Sequence, residues 1–217
     1  MSLLEQLLSL TSSPVAIAFV DEVPAGVAHV SAAEPAGCGY WRRAVAGEVF
    51  YTTADDHKNC PVGAHTHNVP LSSTEKAALT SLVETMVSLQ YLKMEEVPHI
   101  QTRRTPLRVA VYSPLKTSVI SPDVVLVRGN PRQLMLLAEA AQAAGVAGAG
   151  PTMGRPTCAV VPEARNADRT ASSFGCIGNR ISTEAPDDEA YFAIPGAQVR
   201  AIEDAALLRG AMRVVCV

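Results

Sequence analysis

Short apolar runs alternate with helical patterns along the 217 residues of this chain, and no other feature limits its fold as strongly. Strand-like runs lie at 15–20, 49–53, 107–112, 124–127, 159–161, 191–194 and 212–216. Helical periodicity fills 3–10, 74–92, 132–144 and 201–208. Strands interleaved with helices predict an α/β protein with a mixed, partly parallel sheet and flanking helices.

Capping signals support two of these helices. Ser72 and Glu75 form a capping-box pattern for one of them. Asn130 and Pro131 supply an N-cap and a first-turn proline for another. The second helix directly follows a strand-like run, so the segment 123–144 is typical of the first part of a βα unit.

The two halves of the chain follow a similar plan, in which a Ser-Pro pair precedes an apolar strand and then two cysteines in turns. We place these halves at 13–70 and 121–196. No stretch rich in glycine, serine or charge separates them, so 1–217 is interpreted as a single α/β domain. The plan predicts two similar halves that close over one shared site.

Composition argues against two classes of partner. The formal net charge is −3 and the pI is near 6.0, and the lysines and arginines are scattered, so we expect no nucleic-acid surface. The first residues lack the positive charge of a signal peptide, and no apolar run approaches the roughly 18 residues of a membrane span. We therefore expect a cytoplasmic protein without a membrane partner. Its oligomeric state is left open.

Four of the five cysteines lie in turn-like sequence beside glycine, proline or small polar residues, namely Cys38, Cys60, Cys158 and Cys176. The fifth, Cys216, lies in an apolar run and is predicted to be a core residue. In a reducing compartment, cysteines are metal ligands or catalytic groups more often than disulfide partners. Soft thiolates favour zinc, copper(I) or an iron–sulfur cluster. No Cys-x-x-Cys pair is present, so four unrelated free thiols are the competing interpretation.

Histidines concentrate around Cys60. His57, His65 and His67 could complete a metal site or transfer protons near neutral pH. We select His65 as a candidate catalytic residue. The competing interpretation is a solvated polar loop, which the charged residues beside His57 favour.

Arginines recur at one spacing after two of the cysteines, Arg42 after Cys38 and Arg180 after Cys176. A thiolate-bound cluster carries negative charge, so guanidinium groups nearby would offset that charge or hold an anionic substrate. Trp41, the only tryptophan, could cover the site or offer a ring face to a planar ligand. The competing interpretations are surface charges for the arginines and a core position for Trp41.

Blocks of this sequence resemble the family catalogued as domain of unknown function 169, which is found widely in archaea and bacteria. They read Gly-Cys-Gly-Tyr-Trp at 37–41, Asn-Cys-Pro-Val-Gly-Ala at 59–64, Pro-Thr-Cys at 156–158 and Ser-Phe-Gly-Cys-Ile-Gly-Asn-Arg at 173–180, with Ala-Ile-Pro-Gly at 193–196. The likeness runs from about Ser13 to Leu207. It implies that the four turn cysteines belong to one recurring pattern, which favours a shared metal site.

These observations predict an iron–sulfur protein whose four turn cysteines, Cys38, Cys60, Cys158 and Cys176, hold a [4Fe–4S] cluster, with Trp41 beside it. The expected activity is that of an oxidoreductase or lyase, acting on a small anionic or planar substrate by redox or Lewis-acid chemistry. Its expected partner is that small molecule or a redox protein. Arg42, Arg180 and His65 are the candidate catalytic residues.

Two alternatives stay open at this point. The first is a non-catalytic module that binds zinc or haem, since Cys60-Pro61 is similar to the Cys-Pro pairs that ligate regulatory haem. The second is a metal-free dithiol redox protein. Optical absorption separates the three, because clusters absorb broadly, haem gives a sharp Soret band, and zinc or free thiols are colourless.

Overall fold

A computed structural model describes residues 1–97, 99–146, 148 and 156–213, without the side chains of 209–213. Seven strands in this part of the chain form one sheet in the order β2-β3-β4-β1-β5-β7-β6. They are β1 (Val15–Val20), β2 (Ala28–His29), β3 (Phe50–Thr53), β4 (Val109–Pro114), β5 (Val124–Gly129), β6 (Ala171–Ser173) and β7 (Ala190–Pro195). The α-helices are α1 (Leu3–Leu8), α2 (Gly39–Val45), α3 (Pro61–Thr66), α4 (Ser73–Ser88), α5 (Pro131–Ala143), α6 (Val160–Ala167), α7 (Ile177–Thr183) and α8 (Val199–Arg213).

The sheet is mixed but mostly antiparallel, and the predicted α/β class is confirmed. β1 pairs antiparallel with β4 on one side and with β5 on the other. Beyond them, β4 pairs antiparallel with β3, and β7 pairs antiparallel with both β5 and β6. Among the strands named above, only β2 and β3 pair in parallel. β1 and β3 do run in the same direction, as do β5 and β6, but an antiparallel strand lies between the members of each pair.

Two units of equal topology flank the β1–β5 pair. Apart from β2, α4 and α5, which have no counterpart in the other unit, the first runs β1-α2-β3-α3-β4 over 15–114 and the second runs β5-α6-β6-α7-β7 over 124–195. In each unit the strand that comes last in sequence lies between the other two, β4 between β1 and β3, and β7 between β5 and β6. The first unit extends beyond the predicted half at 13–70, because β4 comes only after α4. A duplication as the origin of the two units stays a prediction.

The two faces of the sheet are covered by different helices. On one face, apolar side chains of α2, α3 and α6 pack on both units, with Tyr40, Tyr112 and Val160 fully buried. On the other face, α1, α5 and α8 cover β5 and β7, with Leu137 and Ile202 fully buried. Helices from both units therefore meet on the first face, which is where the turn cysteines lie.

Local signals gave α1, α4, α5 and α8, whereas α2, α3, α6 and α7 were not predicted as helices. The capping residues Ser72 and Asn130 are confirmed as N-caps of α4 and α5. The strand predicted at 159–161 is wrong, because this apolar run opens α6, and a short buried run does not distinguish strand from helix. The helix predicted at 74–92 is present as α4, although none of its residues is buried. The strand predicted at 212–216 begins inside α8, and Cys216 lies outside the described residues.

Candidate functional site

Each of the four turn cysteines lies at the start of a helix. Cys38 precedes α2, Cys60 precedes α3 and Cys176 precedes α7, in each case as the N-cap residue. Cys158 lies in a single 3₁₀ turn, Thr157–Ala159, that leads into α6. In the two equivalent units, Cys38 corresponds to Cys158 and Cys60 corresponds to Cys176. All four helices lie on the same face of the sheet or against one another there.

Cys38 and Cys158 each lie within electrostatic range of the other three cysteines. Burial is the main cause that raises the pKa of both thiols, and charge on the neighbouring cysteines raises it further. The structure therefore brings together all four predicted ligands, although they come from different units of the sheet.

Backbone contacts hold the same region together. The backbone N–H of Cys176 donates to the hydroxyl of Thr157 at 2.6 Å, which joins the turns that carry Cys158 and Cys176. α2 contacts α7, and α3 contacts the 3₁₀ turn at Cys158. Elements that begin at cysteines of different units are thus in contact with one another.

Two kinds of thiol share the site. Cys38 is 8% exposed, and burial raises the pKa of its thiol to about 11. Burial also raises the pKa of the Cys158 thiol. Cys60 and Cys176 are half-buried, and their sulfurs accept the backbone N–H of Gly63 at 3.3 Å and of Asn179 at 3.4 Å. One thiol of each kind comes from each unit.

A polar side chain from the opposite unit lies beside each of the more enclosed thiols. Burial raises the pKa of both thiols, and the amide of Asn179, on α7, offsets part of that rise at Cys38, as does the hydroxyl of Thr66, on α3, at Cys158. Asn179 is 1% exposed, and neither its amide nitrogen nor its amide oxygen completes a hydrogen bond of good geometry. Sequence reasoning missed both residues. Asn179 follows Cys176 by three positions, which is the signal that could have indicated it.

His57 and His67 are buried next to the site, so the solvated-loop interpretation is wrong for them. They are 1% and 2% exposed, and their rings stack with centroids 4.6 Å apart. The Nδ1–H of His67 donates to the carbonyl of Gly63 at 2.9 Å, and Tyr112 donates to its Nε2 at 3.4 Å. Burial lowers the pKa of His67 to about 4 and holds the pKa of His57 well below its usual range. Both rings are therefore neutral at pH 7.

The three candidate catalytic side chains are engaged with protein groups, and a catalytic role for each stays a prediction. Half-buried His65 donates from Nε2 to the carbonyl of Ile100 at 3.1 Å. Arg42, whose side chain is 44% exposed, donates to the carboxylate of Glu184 at 2.7 Å. Arg180 donates to the carbonyls of residues 174, 186 and 189 at 2.5, 2.7 and 3.0 Å, so it braces the chain around α7.

Trp41 is 2% exposed and packs against Tyr191, with ring centroids 5.6 Å apart. Its ring lines a small pocket together with Arg42, Arg128 and Tyr191. Burial raises the pKa of Tyr191, and charge on Cys38 raises it further, so this pocket adjoins the cysteine site. Trp41 occupies a core position at the edge of that site.

Among the described residues, no group of three or more His, Cys, Asp or Glu side chains has the arrangement that would hold a metal ion. Within the same part of the chain, none of the helices combines the length and the apolar character needed to cross a bilayer.

Comparison with known proteins yields one match. A family model described as uncharacterised ArCR matches residues 3–205. No curated protein and no solved structure matches the chain.

Proposed function

The chain belongs to the domain of unknown function 169 family, and we propose that it holds a [4Fe–4S] cluster on the thiolates of Cys38, Cys60, Cys158 and Cys176. One observation carries the proposal, which is that the two equivalent units each direct two helix-start cysteines to the same face of the sheet. If the four thiols were unrelated, we would not expect them at corresponding positions in both units.

The chemistry of the surrounding groups fits a thiolate-bound cluster. Four soft sulfur donors suit iron–sulfur ligation, in which four cysteine thiolates would hold the cluster. The Asn179 amide, buried without a well-formed hydrogen bond, faces a sulfur in this region. Such a donor is what a negatively charged cluster needs from its surroundings.

The raised pKa values of Cys38 and Cys158 determine how many protons must be released when the cluster is incorporated. Both thiols are protonated at neutral pH when no metal is bound, because burial disfavours the thiolate. Binding iron requires the thiolate, so incorporation releases protons and becomes more favourable as pH rises. Bound iron would neutralise the negative charge of these thiolates. A free thiolate in the same buried position would carry a desolvation penalty.

The activity we propose is redox or Lewis-acid chemistry on a small anionic or planar molecule in the cytoplasm, as an oxidoreductase or lyase. A cluster with four thiolate ligands transfers electrons, whereas one with three offers an open iron to a substrate oxygen or sulfur. Arg42 is the best placed of the candidate residues to meet an anion, because its guanidinium is 44% exposed and its partner Glu184 is 75% exposed. A surface pair of this kind exchanges partners at little cost.

Anaerobic purification with iron, acid-labile sulfide and zinc analysis tests the cluster. We expect iron and sulfide in equal amounts, approaching about four of each per chain, with broad absorption near 400 nm. Single Cys→Ser variants at the four positions should lose this absorption. Cys216→Ser is the matched control, since that cysteine is not among the proposed ligands. Stoichiometric zinc without sulfide, or a sharp Soret band with haem, in protein never exposed to air would overturn the proposal.

A metal-free dithiol protein is the second candidate, and one observation favours it. The sulfurs of Cys60 and Cys176 each accept a backbone N–H at the start of a helix, which stabilises a thiolate in reactive cysteines. If the purified protein contains no metal, a reversible dithiol–disulfide couple that requires Cys60 and Cys176 would support this candidate. A metal-free protein without such a couple would exclude it as well.

A further inference from the structure

Asn179 lies where cysteines of the two units approach each other. Its backbone N–H donates to the sulfur of Cys176 at 3.4 Å. Its buried side-chain amide has no hydrogen-bond partner among the described residues, and its helix, α7, contacts α2, whose N-cap is Cys38 of the other unit. Since the residue is 1% exposed, water does not compete for these groups. A single residue therefore spans the junction between the two units at the sulfurs themselves.

The neighbours of the amide leave its N–H groups free for sulfur. The hydroxyl of Thr183 donates its proton to the backbone carbonyl of Asn179 at 2.8 Å. The hydroxyl oxygen of Thr183 can therefore only accept in its 2.8 Å hydrogen bond with Tyr191, and Tyr191 is the donor. Tyr191 then has no proton to offer Asn179 and acts only as an acceptor. Burial is the largest cause that raises the pKa of Cys38 and of Tyr191, and the Asn179 amide offsets part of each rise.

We propose that Asn179 is a positioning residue for the cluster, and that its side-chain N–H donates to the cluster sulfur of Cys38. This inference rests on the proposed cluster. Hydrogen bonds to cluster sulfurs withdraw electron density and stabilise the reduced state, so they raise the reduction potential. With the backbone N–H on Cys176, Asn179 would tune two ligands from different units.

The test is the midpoint potential of the holoprotein in Asn179→Leu, which keeps the size of the side chain and removes its donor. We expect about a tenfold shift of the reduction equilibrium toward the oxidised state, which is about 59 mV more negative for one electron. Asn166→Leu is the matched control. Asn166 is half-buried near the end of α6 and bonds the backbone of residues 102 and 104, away from the sulfurs. Its potential should equal that of the wild type.

Two additions keep the outcomes distinct. Should Asn179→Leu not fold, Asn179→Asp preserves the shape and removes the donor, and its negative charge should shift the potential in the same direction. After chelator treatment, Cys38 should be alkylated more slowly in Asn179→Leu than in the wild type. Mass spectrometry measures this rate, and the comparison does not depend on whether the purified protein carried a cluster. Absence of a cluster in the wild type would overturn the proposed function. A cluster whose potential is unchanged in the Asn179 variant that folds would overturn only the role of Asn179.

Discussion

Gly37 and Gly63 face each other across the first unit's cysteines. A Cβ on Gly63 would lie 3.6 Å from the Cα of Gly37, and a Cβ on Gly37 would lie 3.7 Å from the Cα of Gly63. The turn before Cys38 and the helix after Cys60 therefore approach closely through backbone alone. The two positions differ in what else a methyl group would meet, and that difference gives a test of the site.

Gly63→Ala should impair metal retention more than Gly37→Ala. The new Cβ at 63 would stand 3.2 Å from the sulfur of Cys60, so the sulfur must move by a few tenths of an ångström. At 37 the nearest atom, Nδ1 of His57, lies at 3.6 Å, an ordinary contact. We expect roughly tenfold weaker iron retention against a chelator for Gly63→Ala, the scale of changes beside metal ligands. Equal retention in the two variants would place the Cys60 sulfur outside the site.

The two kinds of thiol should react at different rates in chelator-treated protein. Cys38, whose pKa is raised to about 11 by burial, should carry about 100-fold less thiolate at pH 8 than an ordinary cysteine. Cys60 and Cys176 are half-buried and should be alkylated first. Mass spectrometry of iodoacetamide-treated protein over time measures the order. Faster labelling of Cys38 than of Cys60 would contradict the arrangement of the site.

His67 should make the metal-free protein sensitive to acid. Its folded pKa, about 4, lies below the unfolded value near 6.5, so the unfolded state binds more protons between these values. Stability from the neutral ring is therefore fully present above about pH 6.5 and is lost as pH falls toward 4, by about 3 kcal/mol. His67→Asn keeps a donor for the Gly63 carbonyl without a titrating ring. Urea unfolding at pH 7 and pH 4.5 should show a smaller loss in this variant than in the wild type.

Arg180 should matter more to stability than Arg42. Replacing Arg180 with alanine leaves three backbone carbonyls around α7 without their donor and should cost about 2–3 kcal/mol. Arg42→Ala removes an exposed ion pair and should cost less than about 1 kcal/mol. Thermal or urea unfolding compares the two variants directly. A larger loss for Arg42→Ala would mean that its pair with Glu184 has a structural role.

Elements whose signals are local could be predicted from the sequence. β1 and β5 are continuous apolar runs, and α5 is marked by Asn130 and Pro131, so their positions follow from neighbouring residues alone. α3 and α7 were missed because they span only 6 and 7 residues and are capped by cysteine sulfur rather than by the usual side chains.

The site was predictable in its residue types but not in its geometry. The four cysteines were identified by their turn-like sequence, whereas their convergence depends on the order of strands in the sheet, which is set by distant pairings. The roles of Asn179 and Thr66 depend on the same distant pairings. Burial of His57 and His67 could not be inferred, because charged neighbours in sequence such as Lys58 lie on the exposed side of the same turn.

The pairing between β1 and β5 has a mechanical consequence. Only three residue pairs join these strands, from Val15↔Leu126 to Ile17↔Val124, whereas six join β1 to β4. Beyond Ile17 the ladder is replaced by the carboxylate of Asp123, which accepts the N–H of Phe19 at 2.7 Å. Among the four central strands β4, β1, β5 and β7, the seam between the units is therefore the pairing with the fewest residue pairs and the least resistance to twist. A cluster bound by sulfurs from both units would restrict relative motion of the units across that seam. Binding or loss of iron would therefore change the rigidity of the whole sheet.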